Sequence, residues 1–246
     1  MRKRITIHWI LFLSVALLGV ACSSLLVPPA SGEIVQQTHT VAPFTAINIC
    51  CGMRLLLTQG ETPSVELEGD EAILDEIEVL VRDDELVVQL RPRFNFLPRL
   101  SNRLVTVYVT APDVQTLVLS GGSQGEINLL QGTDLQVTLS GGSQLTIAEV
   151  AATTLTSDLS GGAQLTIATG HLDTQIVDAS GGSRYLVEEV QSDRAELDFS
   201  GGSRARLRVA SVLWIDASGG SDIAYHGTPA LEQTISGGSR VRSLGE

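Results

Sequence analysis

Residues 197–207 read LDFSGGSRARL, and the four-residue phrase at their centre, SGGS, returns throughout the second half of the chain. Its copies are separated by steps of 20, 20, 20, 20, 18 and 18 residues and begin at Ser120, Ser140, Ser160, Ser180, Ser200, Ser218 and Ser236. Only Ala163 breaks the wording. A nearly fixed interval of this length indicates a structural repeat in which every copy marks the same corner of a unit.

The residues on both sides of each corner alternate between apolar and polar. Upstream, Leu135, Val137 and Leu139 share one parity, and downstream the alternation resumes with Leu145 and Ile147. Period two predicts a strand on each side of the corner, followed by a shorter return segment. One such unit cannot bury its apolar face, but stacked units can, with backbone hydrogen bonds between coils. We therefore predict an all-β, single-domain parallel β-solenoid with coils of about 20 residues.

The corners themselves contain paired glycines, which permit backbone angles that a Cβ atom would obstruct. The second serine of each phrase has inward parity, where a small side chain fits a tight corner. We assign a structural role to the fourteen corner glycines: Gly121, Gly122, Gly141, Gly142, Gly161, Gly162, Gly181, Gly182, Gly201, Gly202, Gly219, Gly220, Gly237 and Gly238.

The first 22 residues, MRKRITIHWILFLSVALLGVAC, place three cations before an apolar run that ends at a cysteine. That order is typical of a secretory signal. The stretch LLGVA before Cys22 resembles the lipobox of bacterial lipoproteins, which implies that Cys22 becomes the lipidated first residue. Gly19 stands where a lipobox usually has leucine, so ordinary cleavage and an uncleaved anchor remain as alternatives.

The remaining chain divides by composition. Residues 23–33 read as a tether, and residues 34–246 as the solenoid domain. Within that domain, residues 34–112 lack the SGGS phrase and residues 113–246 carry it. The first part still contains strand-like segments and, at EAILDEI, a helical turn, so we expect it to continue the stack and cover its first end.

Charge and cysteine content exclude several classes of protein. The formal charge of the whole chain is -12, and removal of Arg2, Lys3 and Arg4 with the signal would make it -15. Nucleic acid is therefore not an expected partner. Cys50 and Cys51 are adjacent, and neighbouring side chains of a strand point to opposite faces, so we expect free buried and half-buried thiols.

Two long segments carry a resemblance to a known family. They are FTAINICCGMRLLLTQG at residues 44–60 and VYVTAPDVQTLVLSGGS at residues 107–123. With the lipoprotein-like leader and the repeated corners, they resemble the putative auto-transporter adhesin head, or GIN domain, family. The resemblance implies a right-handed β-helix-like fold in a bacterial envelope protein with an adhesive role. It supplies no catalytic motif.

Four aspartates stand two positions before successive corners: Asp158, Asp178, Asp198 and Asp216. Stacked coils would align them as a column of outward carboxylates, which repel one another and call for nearby cations. Arg184, Arg204 and Arg240 stand four positions after the first serine, with Asp222 interrupting them, so one interpretation is a lattice of Asp–Arg ion pairs. The alternative is a calcium site on the aspartates.

Other candidate binding residues lie in a loop and on one strand. The loop RPRFNFLPRLSNR, residues 91–103, concentrates arginines and phenylalanines, and either packs on the coil or contacts anionic lipid or polysaccharide. Its candidate residues are Arg91, Arg93, Phe94, Phe96, Arg99 and Arg103. Trp214 has outward parity beside Asp216, and either stacks on sugar or is covered by the return segment.

No catalytic constellation emerges from the sequence. GGSQG at residues 121–125 matches a nucleophile elbow, but a strand follows it where the elbow requires a helix. We predict a non-enzymatic, membrane-anchored envelope protein that binds a glycan or another surface protein, without a cofactor other than calcium in the alternative above. A polysaccharide-lyase-like enzyme, with Arg204, Arg206 and Arg208 on uronate carboxylates, is a second hypothesis that rests on fold analogy.

Overall fold

The computed structural model describes residues 32–91 and 105–246. This part of the chain contains eighteen strands, which form one continuous sheet, and one four-residue helix. The elements are β1 (Ile34–His39), β2 (Ala46–Ile49), β3 (Arg54–Gln59), β4 (Ser64–Asp70), α1 (Glu71–Leu74), β5 (Ile77–Arg82), β6 (Glu85–Leu90), β7 (Thr106–Ala111), β8 (Thr116–Leu119), β9 (Gln124–Leu139), β10 (Gln144–Leu159), β11 (Gln164–Ala179), β12 (Arg184–Val187), β13 (Val190–Phe199), β14 (Arg204–Arg208), β15 (Val212–Ala217), β16 (Asp222–His226), β17 (Ala230–Ile235) and β18 (Arg240–Ser243).

The SGGS repeats form parallel, stacked coils, which confirms the predicted β-solenoid. In the 20-residue coils, β9, β10 and β11 are each 16 residues long and pair in parallel, with Gln144 opposite Gln164 and Leu159 opposite Ala179. The return segment is part of these strands, because its backbone also pairs with the coils above and below. From the coil that begins at Ser180 onward, including the 18-residue coils, the long strand is replaced by two shorter ones, as in β12 and β13 or β14 and β15.

The core is a column of inward side chains that runs the length of the stack. Residues of inward parity such as Val137, Leu139 and Ile147 are fully buried. The largest buried side chains in the later coils are Tyr185 and Phe199. Burial of apolar surface stabilises such a stack by about 25 cal/mol for each Å² removed from water, so coil-on-coil packing is its principal source of stability.

A hydrogen-bonded chain of polar groups crosses this core beneath β12 and β14. The Tyr185 hydroxyl donates to Gln175 Oε1 at 2.8 Å, and Gln175 Nε2 donates to Ser192 Oγ at 2.7 Å. Ser192 Oγ in turn donates to the carbonyl of Arg208 at 2.7 Å. Burial raises the pKa of the Tyr185 phenol, which therefore stays a hydrogen-bond donor. The chain fixes four successive strands to one another.

The corner glycines lie directly over one another. Gly201 has φ +72°, and a Cβ built on it would lie 2.8 Å from the carbonyl oxygen of Gly181, one coil away. Gly219 has φ +76°, and its Cβ would lie 2.7 Å from Gly201 O. Any side chain here would meet both backbone strain and a clash with the preceding corner. Residues at the same position of the repeat therefore lie above one another in adjacent coils.

In five of the seven corners the second serine is buried and closes the turn; Ser239 of the last corner is half-buried, and its Oγ accepts from Ser221 N at 3.3 Å. The buried serine Oγ donates to the carbonyl of the first serine at 2.7–3.0 Å in those five corners: Ser123, Ser143, Ser183, Ser203 and Ser221. Ala163 is equally buried but has no hydroxyl, so its corner keeps only the backbone bond from Ala163 N to Ser160 O, at 3.3 Å. The serine thus satisfies a carbonyl inside a tight bend.

An additional corner precedes the seven SGGS copies. Strand β2 pairs with β8, with Ile49 opposite Leu119, and Arg54 of β3 lies opposite Gln124. The segment between them, Cys50-Cys51-Gly52-Met53, therefore occupies the position of an SGGS phrase. Met53 is buried where the other corners place serine or alanine, so the expectation that only a small side chain fits there does not hold at this corner.

The prediction of free thiols at Cys50 and Cys51 is wrong, because the two residues form a disulfide. The prediction assumed that both residues continue a strand. In the structure β2 ends at Ile49 and Cys51 turns the chain with φ +71°, in the place of the first corner glycine. The tight turn brings the two adjacent side chains together.

The first part of the chain continues the stack and covers its first end. Beyond β2 and β3 lie β6 and β7, which pair with them in parallel, and outside those lie the antiparallel strands β5, β4 and β1. Helix α1 begins after Asp70, whose carboxylate accepts from Ala72 N, and buries Ile73 and Leu74 against the sheet. Coil order at this end therefore differs from chain order.

The predicted signal, Cys22 and nearly all of the tether lie outside the described residues. So do Arg93, Phe94, Phe96, Arg99 and Arg103 of the candidate loop, whereas Arg91 is described and is exposed just after β6. Within residues 32–91 and 105–246, no helix is long and apolar enough to cross a bilayer.

Candidate functional site: an arginine groove

Arginines collect on the outer face of four neighbouring strands: β12, β14 and β18 carry them, and β16 between them contributes Asp222 and Ala224. These strands pair in parallel and in order, so that residues of equal parity form columns along the solenoid axis. One outward column contains Arg184, Arg204, Asp222 and Arg240. The next contains Leu186, Arg206, Ala224 and Arg242.

The local sequence explains why these arginines face outward. In RARLR, residues 204–208, Ala205 and Leu207 are buried in the core, so the three arginines between and beside them must point to solvent. Val241 alternates with Arg240 and Arg242 in the same way at β18. Because alternate residues of a strand point to opposite sides, the arginines of each short basic stretch all lie on the outer face.

The columns enclose an open groove with a volume of about 400 Å³, which we call the arginine groove. Its charged residues are Arg184, Arg204, Arg206, Arg242, Glu188 and Asp222. Its floor includes Leu186 and Ala224. Ala224 is only 3% exposed despite its outward parity, because Arg206 and Arg242 flank it on the two adjacent coils. The small side chain of Ala224 leaves the depression between them.

Two of the groove arginines are held by carboxylates. Arg206 Nη1 lies 3.1 Å from Glu188 Oε1, and Arg242 Nη2 lies 3.0 and 3.1 Å from the two Asp222 oxygens. Arg208, beside the groove, donates from Nε to the Glu188 carbonyl at 3.3 Å. These contacts orient the guanidinium groups along the walls.

The other two groove arginines have no such partner. Arg184 and Arg204 make no side-chain hydrogen bond or ion pair with another described residue, although they lie opposite each other in adjacent coils. At the coil spacing of about 4.8 Å, two like charges in water repel by about 0.9 kcal/mol. Four arginines against two carboxylates give the lining a formal charge of +2, within a chain whose formal charge is -12. The groove is therefore suited to an anion.

The predicted aspartate column exists, but the predicted ion-pair lattice does not. Asp158, Asp178, Asp198 and Asp216 lie opposite one another in successive coils. None of the ion pairs between described residues includes any of them. The aspartate column lies on one side of the corner, and Arg184, Arg204 and Arg240 lie on the other. The arginines that do form ion pairs on that side, Arg206 and Arg242, pair with Glu188 and Asp222 of the same face.

Within the aspartate column, the pKa of the Asp178 carboxyl is raised, first by partial burial and then by the charges of Asp198 and Asp158. Among the described residues there is no group of three or more histidine, cysteine, aspartate or glutamate side chains placed to hold a metal ion. The calcium interpretation gains no support from the geometry of this column.

Trp214 lies in a separate, acidic hollow on the aspartate face. It is 40% exposed, so the return segment does not cover it. Glu196 and Glu232 lie opposite it on the two adjacent coils, and Asp198 and Asp216 complete a depression of about 320 Å³. In the later coils, from β12 onward, the two sides of the SGGS corner therefore carry opposite net charge.

The sequence analysis identified part of the groove. Arg184 and Arg204 come together there, but Trp214 lies on the other face and Arg91 near the first end of the stack. Arg242, Ala224 and Glu188 were not predicted. A sequence signal exists in the alternating arginines of residues 204–208 and 240–242, which follow a stretch, residues 104–183, without any lysine or arginine.

The groove lining favours binding over proton transfer. Arg204 and Arg206, two of the three arginines in the lyase hypothesis, are part of it, and Arg208 lies beside it. The lining contains no histidine, lysine or tyrosine that could act as a general base, and its glutamate and aspartate are both paired with arginines. Such a surface can hold carboxylate, sulfate or phosphate groups by charge-assisted hydrogen bonds.

Fold and groove together define a class of protein, the parallel β-solenoids that present charged outer faces to solvent. Within that class, the chain belongs to the family described as putative auto-transporter adhesin, head GIN domain, which it matches over residues 43–229. No protein of curated function matches the sequence.

Solved structures share the fold at low sequence identity. A putative adhesin from Bacteroides fragilis has a TM-score of 0.73 at 16% identity, with 88% of this chain and 99% of that chain covered. A putative adhesin from Parabacteroides merdae has a TM-score of 0.66 at 16% identity, covering 87% and 98%. A putative lipid binding protein from Parabacteroides distasonis has a TM-score of 0.63 at 12% identity, also covering 87% and 98%. At these identities the likeness establishes the fold alone.

Proposed function

We propose that this chain is a non-enzymatic lipoprotein of the bacterial cell envelope that acts as an adhesin-like binding module. The observation that carries the proposal is the solenoid itself, whose inter-coil pairing holds outward side chains in fixed columns on a rigid support. Binding surfaces on such scaffolds need little ordering when a ligand arrives, which lowers the entropic cost of association. Family membership supports the adhesin-like part of the proposal.

The membrane anchor is the second part of this proposal. The sequence pattern that ends at Cys22 supports lipid attachment, and the tether of residues 23–33 would separate the solenoid from the bilayer. An anchored module of this kind holds its ligand close to the cell surface.

Two measurements on the full-length chain test the proposal. In the first, a Cys22→Ser variant is compared with the native sequence for incorporation of labelled palmitate and recovery in the membrane fraction. The native chain should be labelled and membrane-bound, and the variant should be neither. Equal labelling of both would remove the lipoprotein assignment.

The second measurement addresses adhesion. Beads that carry the mature, detergent-purified protein are incubated with purified surface polysaccharides and with intact cells. We expect saturable retention that beads carrying a size-matched unrelated lipoprotein do not show. Absence of retention, or release of shortened polysaccharide products into solution, would contradict a non-enzymatic binding role.

A further inference from the structure

The arginine groove concentrates positive charge in a protein that is otherwise acidic. Six of the seven arginines in residues 113–246 lie on β12, β14 and β18, and the seventh, Arg194, lies on β13. The acidic columns occupy the other side of the corner. A ligand attracted to this patch must therefore be anionic and must avoid the face that carries Trp214.

The guanidinium groups are already placed to receive such a ligand. Arg184 and Arg204 have no described partner, and Arg206 and Arg242 are oriented by Glu188 and Asp222. An incoming carboxylate would find two unpaired guanidinium groups and two orientated ones. It would also relieve the repulsion between Arg184 and Arg204.

The shape of the groove selects among anions. It crosses four coils, about 14 Å along the axis at the usual coil spacing, and it is open to solvent along its length. Backbone N–H groups of β14 and β16 are used in pairing between coils, so the walls offer side chains but no backbone cradle for a single phosphate. Repeated charges on an extended chain match the arginines that three of the four coils, β12, β14 and β18, contribute to the groove.

Lipid head groups fit this site less well than a polymer does. The large apolar side chains that are exposed among the described residues are Ile34, Ile176, Trp214, Leu231, Ile235 and Leu244. None of them lines the groove, whose large apolar side chain, Leu186, is half-buried in the floor and does not project as an anchor for the acyl layer.

We infer that the arginine groove binds a linear acidic polysaccharide, with Arg184 and Arg204 contacting its carboxylates and Ala224 providing the space in which the sugar backbone lies. This inference rests on the proposed adhesin-like function and adds its ligand class. The polymer runs along the columns, so that successive acidic sugars meet successive coils.

The test uses the mature, detergent-purified full chain and polygalacturonate as the probe, with dextran as the neutral polymer. Three variants are compared by biolayer interferometry. Arg204→Ala removes an unpaired guanidinium, Ala224→Leu fills the floor without changing charge, and Arg194→Ala removes an exposed arginine outside the groove. Loss of one charge-assisted contact should weaken binding of polygalacturonate by about tenfold or more.

We expect binding of polygalacturonate and not of dextran, a loss with Arg204→Ala and with Ala224→Leu, and less than about a twofold change with Arg194→Ala. Unchanged circular dichroism and melting temperature show that each variant is folded. Equal weakening by Arg194→Ala and Arg204→Ala, or full binding by Ala224→Leu, would show diffuse attraction and overturn the inference. Binding to phosphatidylglycerol vesicles but not to polygalacturonate would also overturn it.

Retention of cells by the Arg204→Ala variant distinguishes failure of the groove assignment from failure of the adhesin-like function. If the native chain and Arg204→Ala retain cells and surface polysaccharides equally, the adhesin-like function stands and the groove assignment falls. If neither retains any cell or polysaccharide, the proposed function falls with it.

Discussion

The two glycines of an SGGS corner differ in backbone conformation between the early and the later corners. In the early corners both adopt left-handed angles, with φ of 63° at Gly121 and 81° at Gly122. In the later corners only the first does: Gly201 has φ 72°, whereas Gly202 does not have positive φ and donates its N–H to Gly181 O at 2.8 Å. The early corners thus resemble type I′ turns and the later ones type II′ turns, which require glycine only at the first position.

This difference predicts unequal tolerance within one corner. Gly181 has φ 78°, and its Cβ would lie 3.0 Å from Gly161 N, so Gly181→Ala should lower the free energy of unfolding by about 2 kcal/mol or more. Gly182 has ordinary φ and nothing within 4 Å of its Cβ, so Gly182→Ala should be neutral or stabilise by up to about 1 kcal/mol. Urea unfolding of both variants measures this. Equal destabilisation would contradict the turn assignment.

The hydroxyl of the second corner serine should contribute measurably to stability. Ser143 Oγ donates to Ser140 O at 2.7 Å, and Ala163 occupies the equivalent place one coil on. Ser143→Ala should lower the free energy of unfolding by about 1 kcal/mol. Ala163→Ser should raise it by up to about the same amount, because the Ser160 carbonyl oxygen is placed to accept the new hydrogen bond. Thermal unfolding of the two single variants provides the comparison. Destabilisation by Ala163→Ser would mean that its corner lacks room for the hydroxyl.

At the scale of the strand, pairing in register turns any residue that recurs with the repeat into a column. Columns of apolar residues contribute to the core, and corner columns of glycine permit close approach. Columns of like charge lower the stability of the folded state, because each charged side chain lies beside side chains of the same charge on the adjacent coils. The aspartates from Asp158 to Asp216 carry this cost, and no ion pair with another residue of the described ranges offsets it.

Neutralising the centre of that column should therefore stabilise the protein. The raised pKa of Asp178 means that the folded state favours its protonated form, so its contribution to stability is fully present below the ordinary value of 3.8 and is lost as pH rises. Asp178→Asn should raise the free energy of unfolding at neutral pH by on the order of 1 kcal/mol at low salt, and by little near pH 3.

Urea titrations at both pH values, with and without added salt, test this expectation. Asp134→Asn is the matched control, because Asp134 is exposed on β9 and lies opposite Thr154, not another acid. An Asp178→Asn gain that is independent of pH, or equal to that of Asp134→Asn, would show that the column does not act through charge.

At the scale of the whole molecule, the stack is modular and its first end is closed. Each 20-residue coil contacts chiefly the coils beside it, as β10 does with β9 and β11. Stability in such an array is approximately a sum over coils and their interfaces. The antiparallel strands β1, β4 and β5 and helix α1 end the parallel pairing at the first end.

Modularity predicts that one whole coil can be removed. Deletion of residues 140–159 joins Leu139 to the intact corner at Ser160 and places β9 against β11 in the native register. The shortened chain should give a β-type circular dichroism spectrum and unfold in one cooperative transition with a smaller m-value.

Deletion of residues 140–149 is the matched control for this change. It removes a corner and the first six of the 16 residues of β10, so strand and turn positions no longer coincide between coils, and we expect it not to fold. Equal behaviour of the two deletions would contradict the modular stack.

The amino-acid sequence alone predicts the repeat, the inward and outward parity and the site of every SGGS corner. Those features follow from local chemistry, since glycine pairs and period-two alternation carry their geometry with them. It also predicted the aspartate column, because equal steps between Asp158, Asp178 and Asp198 put equal residues in line.

Which columns lie next to each other, and how the first end is assembled, could be seen in the three-dimensional structure but not in the sequence. Cys50 and Cys51 could be recognised as a corner only once β2 was seen to pair with β8, some 70 residues further along the chain. The arginine groove likewise depends on Ala224 lying between Arg206 and Arg242. Such contacts join residues from different coils, and their positions depend on packing between coils, not on any local pattern.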